Sequence, residues 1–233
     1  MQRIDQDKEK NVEDIIRRTS TDAVYETLRD EIQTLKILPG TKLSETEVAR
    51  RFGVSRQPVR NAFTKLGNQD LLLIRPQKAT EVRGFSMDRI SLARFVRLSV
   101  EIEITRGAIQ LWNLEREAKL EANLKRQEEA IDSGNLTDFH AQDYEFHRLV
   151  CELSGTPLAF DVIEQCKQQV DRLCALSLTK DREARSVLAD HRQIANGMAS
   201  GNLEQAQSTI RKHLSRLDAT IEFIHETHPN YFE

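Results

Sequence analysis

Apolar side chains between residues 20 and 37 recur at spacings of three and four, at Ala23, Val24, Leu28, Ile32 and Leu35. That is the period of a helix with one buried face, and Pro39-Gly40 ends it. Ser44, followed three residues later by Glu47, forms a capping box that opens a second helix, ETEVARRF, ending at Gly53. After the short turn GVS a third helix is expected from near Ser55 to about Gln69. Pro58 falls in its first turn, where a missing N–H costs nothing. Apolar stretches at Leu71–Ile74 and Thr80–Val82 flank Arg75-Pro76-Gln77-Lys78, the pattern of a two-stranded wing. Residues 20–85 therefore read as a winged helix-turn-helix.

Beyond Phe85 the strand signal disappears and helical periodicity continues. Helices are expected over about 87–111, 114–133, 136–154, 157–179, 181–200 and 203–227, with breaks at Ser133-Gly134-Asn135, Ser154-Gly155-Thr156-Pro157 and Ser200-Gly201-Asn202. The fold class is mostly α, with an all-helical second domain of about six helices over residues 86–233. Residues 1–19 are polar and charged with little periodicity, and read as a flexible arm or a frayed helix.

A chain of 233 residues has room for two such cores. It holds no apolar run of about 18 residues, and no signal-peptide core precedes the first helix, so a soluble cytoplasmic protein with no membrane partner is expected. Three cysteines without a CxxC pair argue against a disulfide framework. The net charge of −3 is uninformative until the chain is divided. Between residues 50 and 83, eight Arg or Lys stand against Asp70 and Glu81, a positive field in one short region.

That field lies where a DNA reader needs it. Ser55, Arg56, Gln57 and Arg60 head the second helix of the helix-turn-helix, where Arg can pair with guanine and Gln with adenine. Thr46, at the start of the preceding helix, is placed to hold a phosphate on that helix's N–H groups. Gln77 and Lys78 at the wing tip can reach the minor groove or its flanking phosphates. An Arg-rich helix can also be only a solvated face, the better reading for Arg50 or Arg51 alone. Turn, caps, wing and charge together favour double-stranded DNA.

The stretch SETEVARRFGVSRQPVRNAFTKL resembles the DNA-binding domain of the GntR family of bacterial regulators, and the resemblance covers almost all of residues 20–85. It implies that Arg56, Gln57 and Arg60 contact bases, supported by Thr46 and the wing. Two departures stand out: Gln69-Asp70 replaces the usual Glu-Gly after the recognition helix, and Lys78-Ala79 replaces Arg-Gly in the wing. Without that Gly the wing tip reaches positive φ less easily.

In the second domain, His147, His191 and His213 each lie beside apolar residues on expected helices, and Asp143 stands one turn before His147 on the same face. Taken singly, each histidine is better read as a core or surface residue, and His140, His225 and His228 keep that reading. Burying several ionisable groups together is costly without a metal. One carboxylate and three imidazoles suit zinc, with nickel or manganese as other first-row choices.

The segment 86–227 resembles the FCD domain, the ligand-binding domain of one branch of the same family. The resemblance rests on Arg97 and Glu101, on Asp143 and His147 leading to Ser154-Gly155, on Asp190-His191 with Ile194, and on Gly201-Asn202 leading to His213-Leu214. It implies that Asp143, His147, His191 and His213 hold the metal. It also implies that Arg97 enters the same cavity, where a guanidinium can clamp the carboxylate of a small organic acid. For Arg97 an ion pair with Glu101 is the other reading, with Glu101 orienting its neighbours.

A metal so held could also activate water. There is no HExxH, however, and the Asp190-His191 order is the reverse of the His-Asp dyad of helical phosphohydrolases, so no enzyme is expected. The expected protein is a homodimeric repressor that leaves a palindromic operator when the acid binds. A regulator for which the ion itself is the signal is the alternative.

Overall fold

The computed structural model describes residues 20–176 and 183–233. The expected N-terminal arm, 1–19, lies outside the described residues, as do 177–182, where two of the expected helices were to meet. The described residues divide into two compact units, residues 20–85 together with Asn230–Glu233, and Ser86–Pro229.

In the first unit, α1 covers residues 20–33, followed by β1 (Lys42–Leu43), α2 (Glu45–Phe52), α3 (Arg56–Asn68), β2 (Leu72–Leu73) and β3 (Thr80–Val82). The Ser44 side chain accepts from the Glu47 N–H, and α2 ends where Gly53 turns left-handed at φ 66°. Val24, Leu28 and Ile32 of α1 pack with Val48 of α2 and Val59, Phe63 and Leu66 of α3 into one core. Val24, Leu28 and Ile32 thus form the buried face expected from the three-and-four spacing, whereas Ala23 is exposed and Leu35 lies past the end of α1, in a turn at φ 59°.

The sheet differs from the expected two-stranded wing. It has three strands in the order β1-β3-β2, both pairings antiparallel, with Lys42 opposite Glu81 and Leu72 opposite Val82. Two residues are too few for an alternating pattern to register, so β1 leaves no strand signal after Pro39-Gly40. After the recognition helix, positive φ stays at the position of the family's glycine, on Asp70, whereas in the wing it falls on Gln77 rather than Ala79. Asp70 and Gln77 both take φ 59°, and the Lys78 N–H closes the wing turn on the Arg75 carbonyl at 3.2 Å. With Pro76 ahead of it, Gln77 does the work of the glycine in a type II turn.

The chain's last residues complete this unit. The Phe85 N–H donates to the Tyr231 carbonyl at 2.8 Å, the Glu233 N–H donates to the Phe85 carbonyl at 2.9 Å, and Arg83 Nε donates to Glu233 Oε1 at 2.9 Å. Gly84 makes the approach possible: a Cβ there would sit 2.9 Å from the Tyr231 carbonyl oxygen.

Among the described residues, the regular structure of the second unit is helical: α4 (Met87–Gln110), α5 (Leu114–Asp132), α6 (Leu136–Leu153), α7 (Ala159–Cys174), α8 (Ala184–Ala199), α9 (Leu203–Ser215) and α10 (Asp218–Thr227). The stretch 203–227, expected as one helix, is two. The break at Arg216-Leu217 turns Arg216 onto Asp190 of α8, which accepts from both Nε and Nη2. The antiparallel pairs α5/α6 and α8/α9 and the pair α4/α7 carry most of the packing. Leu120, Leu124, Phe146, Ile163, Ile194, Met198 and Ile210 form the centre. Among the described residues no helix is long and apolar enough to cross a membrane.

Candidate DNA interface and metal centre

The exposed head of α3 presents Ser55, Arg56, Gln57 and Arg60, while Pro58 and Val59 on its other side are buried. Thr46, Gln77 and Lys78 are exposed as well. The arginines are not free to wander. Glu45, the first residue of α2, accepts from Arg56 Nη2 at 2.8 Å and from Arg60 Nε and Nη2 at 3.2 and 3.0 Å. Gln57 Nε2 donates to Asn61 Oδ1 at 2.9 Å. Both arginines keep unused N–H groups, so the head of the helix offers held donors to a groove. Glu45 was not singled out from sequence, because its partners lie 11 and 15 residues away.

In the helical unit, α6 supplies Asp143 and His147, α8 supplies His191 and α9 supplies His213, all buried. One ligand atom from each lies within 4.8 Å of the others. Donors about 2.1 Å from a tetrahedral ion stand about 3.4 Å apart, so the set needs only a modest contraction to fit.

Fixed partners decide the tautomers. Asn123 of α5 donates to the Gln142 backbone carbonyl at 3.0 Å, which leaves its Oδ1 to accept from Gln127 Nε2 at 2.7 Å. The Gln127 oxygen is thereby turned to His191 Nδ1, 2.8 Å away, so that nitrogen carries the proton. His191 Nε2 keeps its lone pair, buried without a hydrogen-bond partner and 3.5 Å from Asp143 Oδ1. His147 Nδ1 faces the Glu101 carboxylate at 3.1 Å and is protonated for the same reason, while its Nε2 meets the donor Arg97 Nη2 at 3.0 Å. Such outer partners orient metal-binding imidazoles.

The charges suit the same use. Burial, aided by neighbouring histidines, holds His191 well below the usual imidazole range, and burial lowers His213 too, so both stay neutral. Burial opposes ionisation of Asp143, but the Lys167 ammonium, 2.8 Å from Oδ2, and the imidazoles hold its carboxyl well below the ordinary range. Lys167, of α7, also pairs with Asp171 at 3.1 Å and lies over the Tyr144 ring. Arg97 pairs with Glu101 at 2.6 Å and lines a cavity of about 100 Å³ beside the cluster. Arg97 thus makes the expected ion pair with Glu101 while also facing the cavity. Lys167 and His140 line the cavity too, with Phe139, Val170 and Leu214 as an apolar wall.

Residues 20–82 match the bacterial regulatory proteins of the gntR family, and residues 94–216 match the FCD domain. The chain belongs to the GntR family. Over 209 residues it is 34% identical to the HTH-type transcriptional repressor RspR of Escherichia coli K12, covering 90% of this chain and 92% of that one. It is 23% identical to the HTH-type transcriptional regulator LutR of Bacillus subtilis 168, covering 80% and 94%. Among solved structures, a putative GntR regulator from Rhodococcus sp. RHA1 matches with a TM-score of 0.69 at 23% identity, covering 88% of this chain and 98% of that one. E. coli McbR/YncC matches with a TM-score of 0.68 at 17% identity, covering 90% and 98%. The GntR chain is therefore a DNA-binding transcriptional regulator, and its relatives are regulators rather than enzymes.

Sequence reasoning brought Asp143, His147, His191, His213 and Arg97 to one place and missed Lys167, Gln127 and Asn123. A signal for the last two exists in the sequence. Leu120, Asn123, Leu124, Gln127 and Ala130 form the buried stripe of α5, so two amides stand where a core helix normally carries apolar residues.

Proposed function

We propose that this regulator is a homodimeric repressor that releases a palindromic operator when a small organic acid binds beside a divalent metal ion, zinc being the first choice. The observation that carries this reading is the convergence of Asp143, His147, His191 and His213 within 4.8 Å, with Arg97 on the adjoining cavity wall. The orphaned lone pair of His191 Nε2 supports a metal there, since a buried acceptor without a partner costs about 1 to 3 kcal/mol. A bound ion would supply a positive centre for the acid's oxygens. Arg97 would clamp the carboxylate, Glu101 and Gln127 would keep His147 and His191 in the binding tautomer, and the apolar wall would take the rest of the acid.

Repression is favoured by the name of RspR, a repressor 34% identical to this chain. A dimer follows from the weakness of one small DNA module acting alone. Leu92 and Phe95, 61% and 68% exposed and one turn apart on α4, offer an apolar face to a second copy. Ser55, Arg56, Gln57 and Arg60 would read bases, with Thr46, Gln77 and Lys78 on the backbone or minor groove.

Elemental analysis and native mass spectrometry of the purified protein test the reading directly. About one divalent ion per chain with a retained acid, both lost in His191→Ala, is the expected result. Protein without metal after growth in zinc would overturn the metal. If chelation alone altered operator affinity, with no acid present, the ion itself would be the signal.

A further inference from the structure

Of the groups that converge in the helical unit, His147 differs from the rest. Asp143 gives Oδ2 to Lys167 and leaves Oδ1 toward the imidazoles, 3.5 Å from His191 Nε2 and 3.9 Å from His147 Nε2. His191 Nε2 is buried without a hydrogen-bond partner, and His213 turns Nδ1 toward Asp190 Oδ2, 3.8 Å away and beyond hydrogen-bond reach. His147 has both nitrogens engaged: Nδ1–H on Glu101 Oε2 at 3.1 Å, and Nε2 accepting from Arg97 Nη2 at 3.0 Å. Arg97 is in turn fixed to Glu101 Oε1 through Nε at 2.6 Å. Arg97, Glu101 and His147 thus close a ring of hydrogen bonds, and the lone pair a metal would need from His147 is covered by a guanidinium.

We propose that Arg97 is a displaceable cap on His147 Nε2, so that metal coordination and acid capture are coupled through one side chain. The proposal rests on the metal reading given above. A guanidinium has five N–H groups in a fixed fork. Arg97 can keep Nε on Glu101 while Nη2 leaves His147, a rotation that preserves its buried ion pair. His147 cannot serve Arg97 and an ion with the same lone pair. Once Nη2 is released, its hydrogens and those of Nη1 are left for the cavity that Arg97 already lines, where a carboxylate can accept two of them. The cation thereby uncovers the anchor for the anion, and acid capture follows metal binding.

Zinc alone tests this. Its affinity, measured against a competing chelator, is compared in the full-length wild type, Arg97→Lys and Arg97→Met, with thermal melts to confirm that each is folded. Lys keeps the charge but, as a single-point donor, cannot hold Glu101 Oε1 and His147 Nε2 together. Both variants are expected to bind zinc more tightly, by roughly tenfold, the equivalent of one charge-assisted hydrogen bond that no longer competes. In the wild type, zinc should shift the Arg97 guanidinium 15N signals, a readout that needs no variant. Tighter binding by Arg97→Met with no change in Arg97→Lys would reduce the effect to charge and overturn the cap. Weaker binding by both folded variants, or unmoved Arg97 signals on zinc saturation, would overturn it too. If the wild type and both variants all fail to bind zinc, the metal reading itself falls, a result distinct from any of these.

Discussion

Glu45 grips Arg60 through both carboxylate oxygens, Oε1 accepting from Nε at 3.2 Å and Oε2 from Nη2 at 3.0 Å, and Oε2 also accepts from Arg56. A carboxylate beside these two arginines lowers attraction to phosphate and restricts where the guanidinium groups point. Both effects favour reading over mere sticking. Glu45→Gln is therefore expected to raise affinity for random DNA, steepen the salt dependence by about one ion, and cut discrimination between operator and scrambled duplex by about tenfold. Fluorescence anisotropy across a salt series measures all three. Unchanged discrimination would make Glu45 a bystander.

Arg60→Ala should act in the opposite sense on specific binding. Loss of about tenfold or more in operator affinity is expected, with sequence preference relaxed and bound metal unchanged, because the two features lie in different units. Equal operator affinity in wild type and variant would remove Arg60 from the set of base readers.

Gln127 orients His191 without joining the cluster, so its replacement separates orientation from ligation. Gln127→Leu removes the acceptor of the His191 Nδ1 proton, and zinc affinity should fall by about 10- to 100-fold. Gln127→Glu keeps an acceptor and should retain most of it. Zinc competition on the two proteins decides the matter, and equal affinities would deny Gln127 the role.

At the wing tip, Gln77 bears a left-handed conformation that costs an L-residue about 1 to 2 kcal/mol. Gly is indifferent to it, and a β-branched residue fares worst. Thermal unfolding of the variants should rank Gln77→Gly at or above wild type and Gln77→Val clearly below. A neutral Gln77→Val would show that the wing turn relaxes at no cost.

The two units were not equally legible. Residues 20–85 announce themselves because capping box, Gly53 and Pro58 are local signals that act within a few residues of where they stand. The wing turn was harder: with Ala79 in place of glycine, the positive φ moved to Gln77, and sequence marks only the residue that usually bears it. In the helical unit the convergence of Asp143, His147, His191 and His213 could be read from helix faces and from resemblance. Lys167 could not. A lysine 7% exposed looks like any surface lysine until Asp143, from another helix, is seen 2.8 Å away. The split of 203–227 at Arg216 was hidden for a similar reason, since Asp190, 26 residues earlier, is the partner on which Arg216 is turned.

The tail that docks on Phe85 makes the DNA-reading module discontinuous in sequence: Arg83 and its partner Glu233 are 150 residues apart. During synthesis the helices and sheet of that module can assemble early, but the edge beside Gly84 stays uncovered until the whole helical bundle has been made. A fragment cut after Phe85 therefore should not equal the module it resembles. It exposes the Phe85 amide and carbonyl that Tyr231 and Glu233 otherwise occupy, and hydrogen exchange at Phe85 should be faster in the fragment than in the full chain. The bundle is, in topological terms, an insertion within the reader rather than an appendage to it, and the two cannot be separated by a single cut.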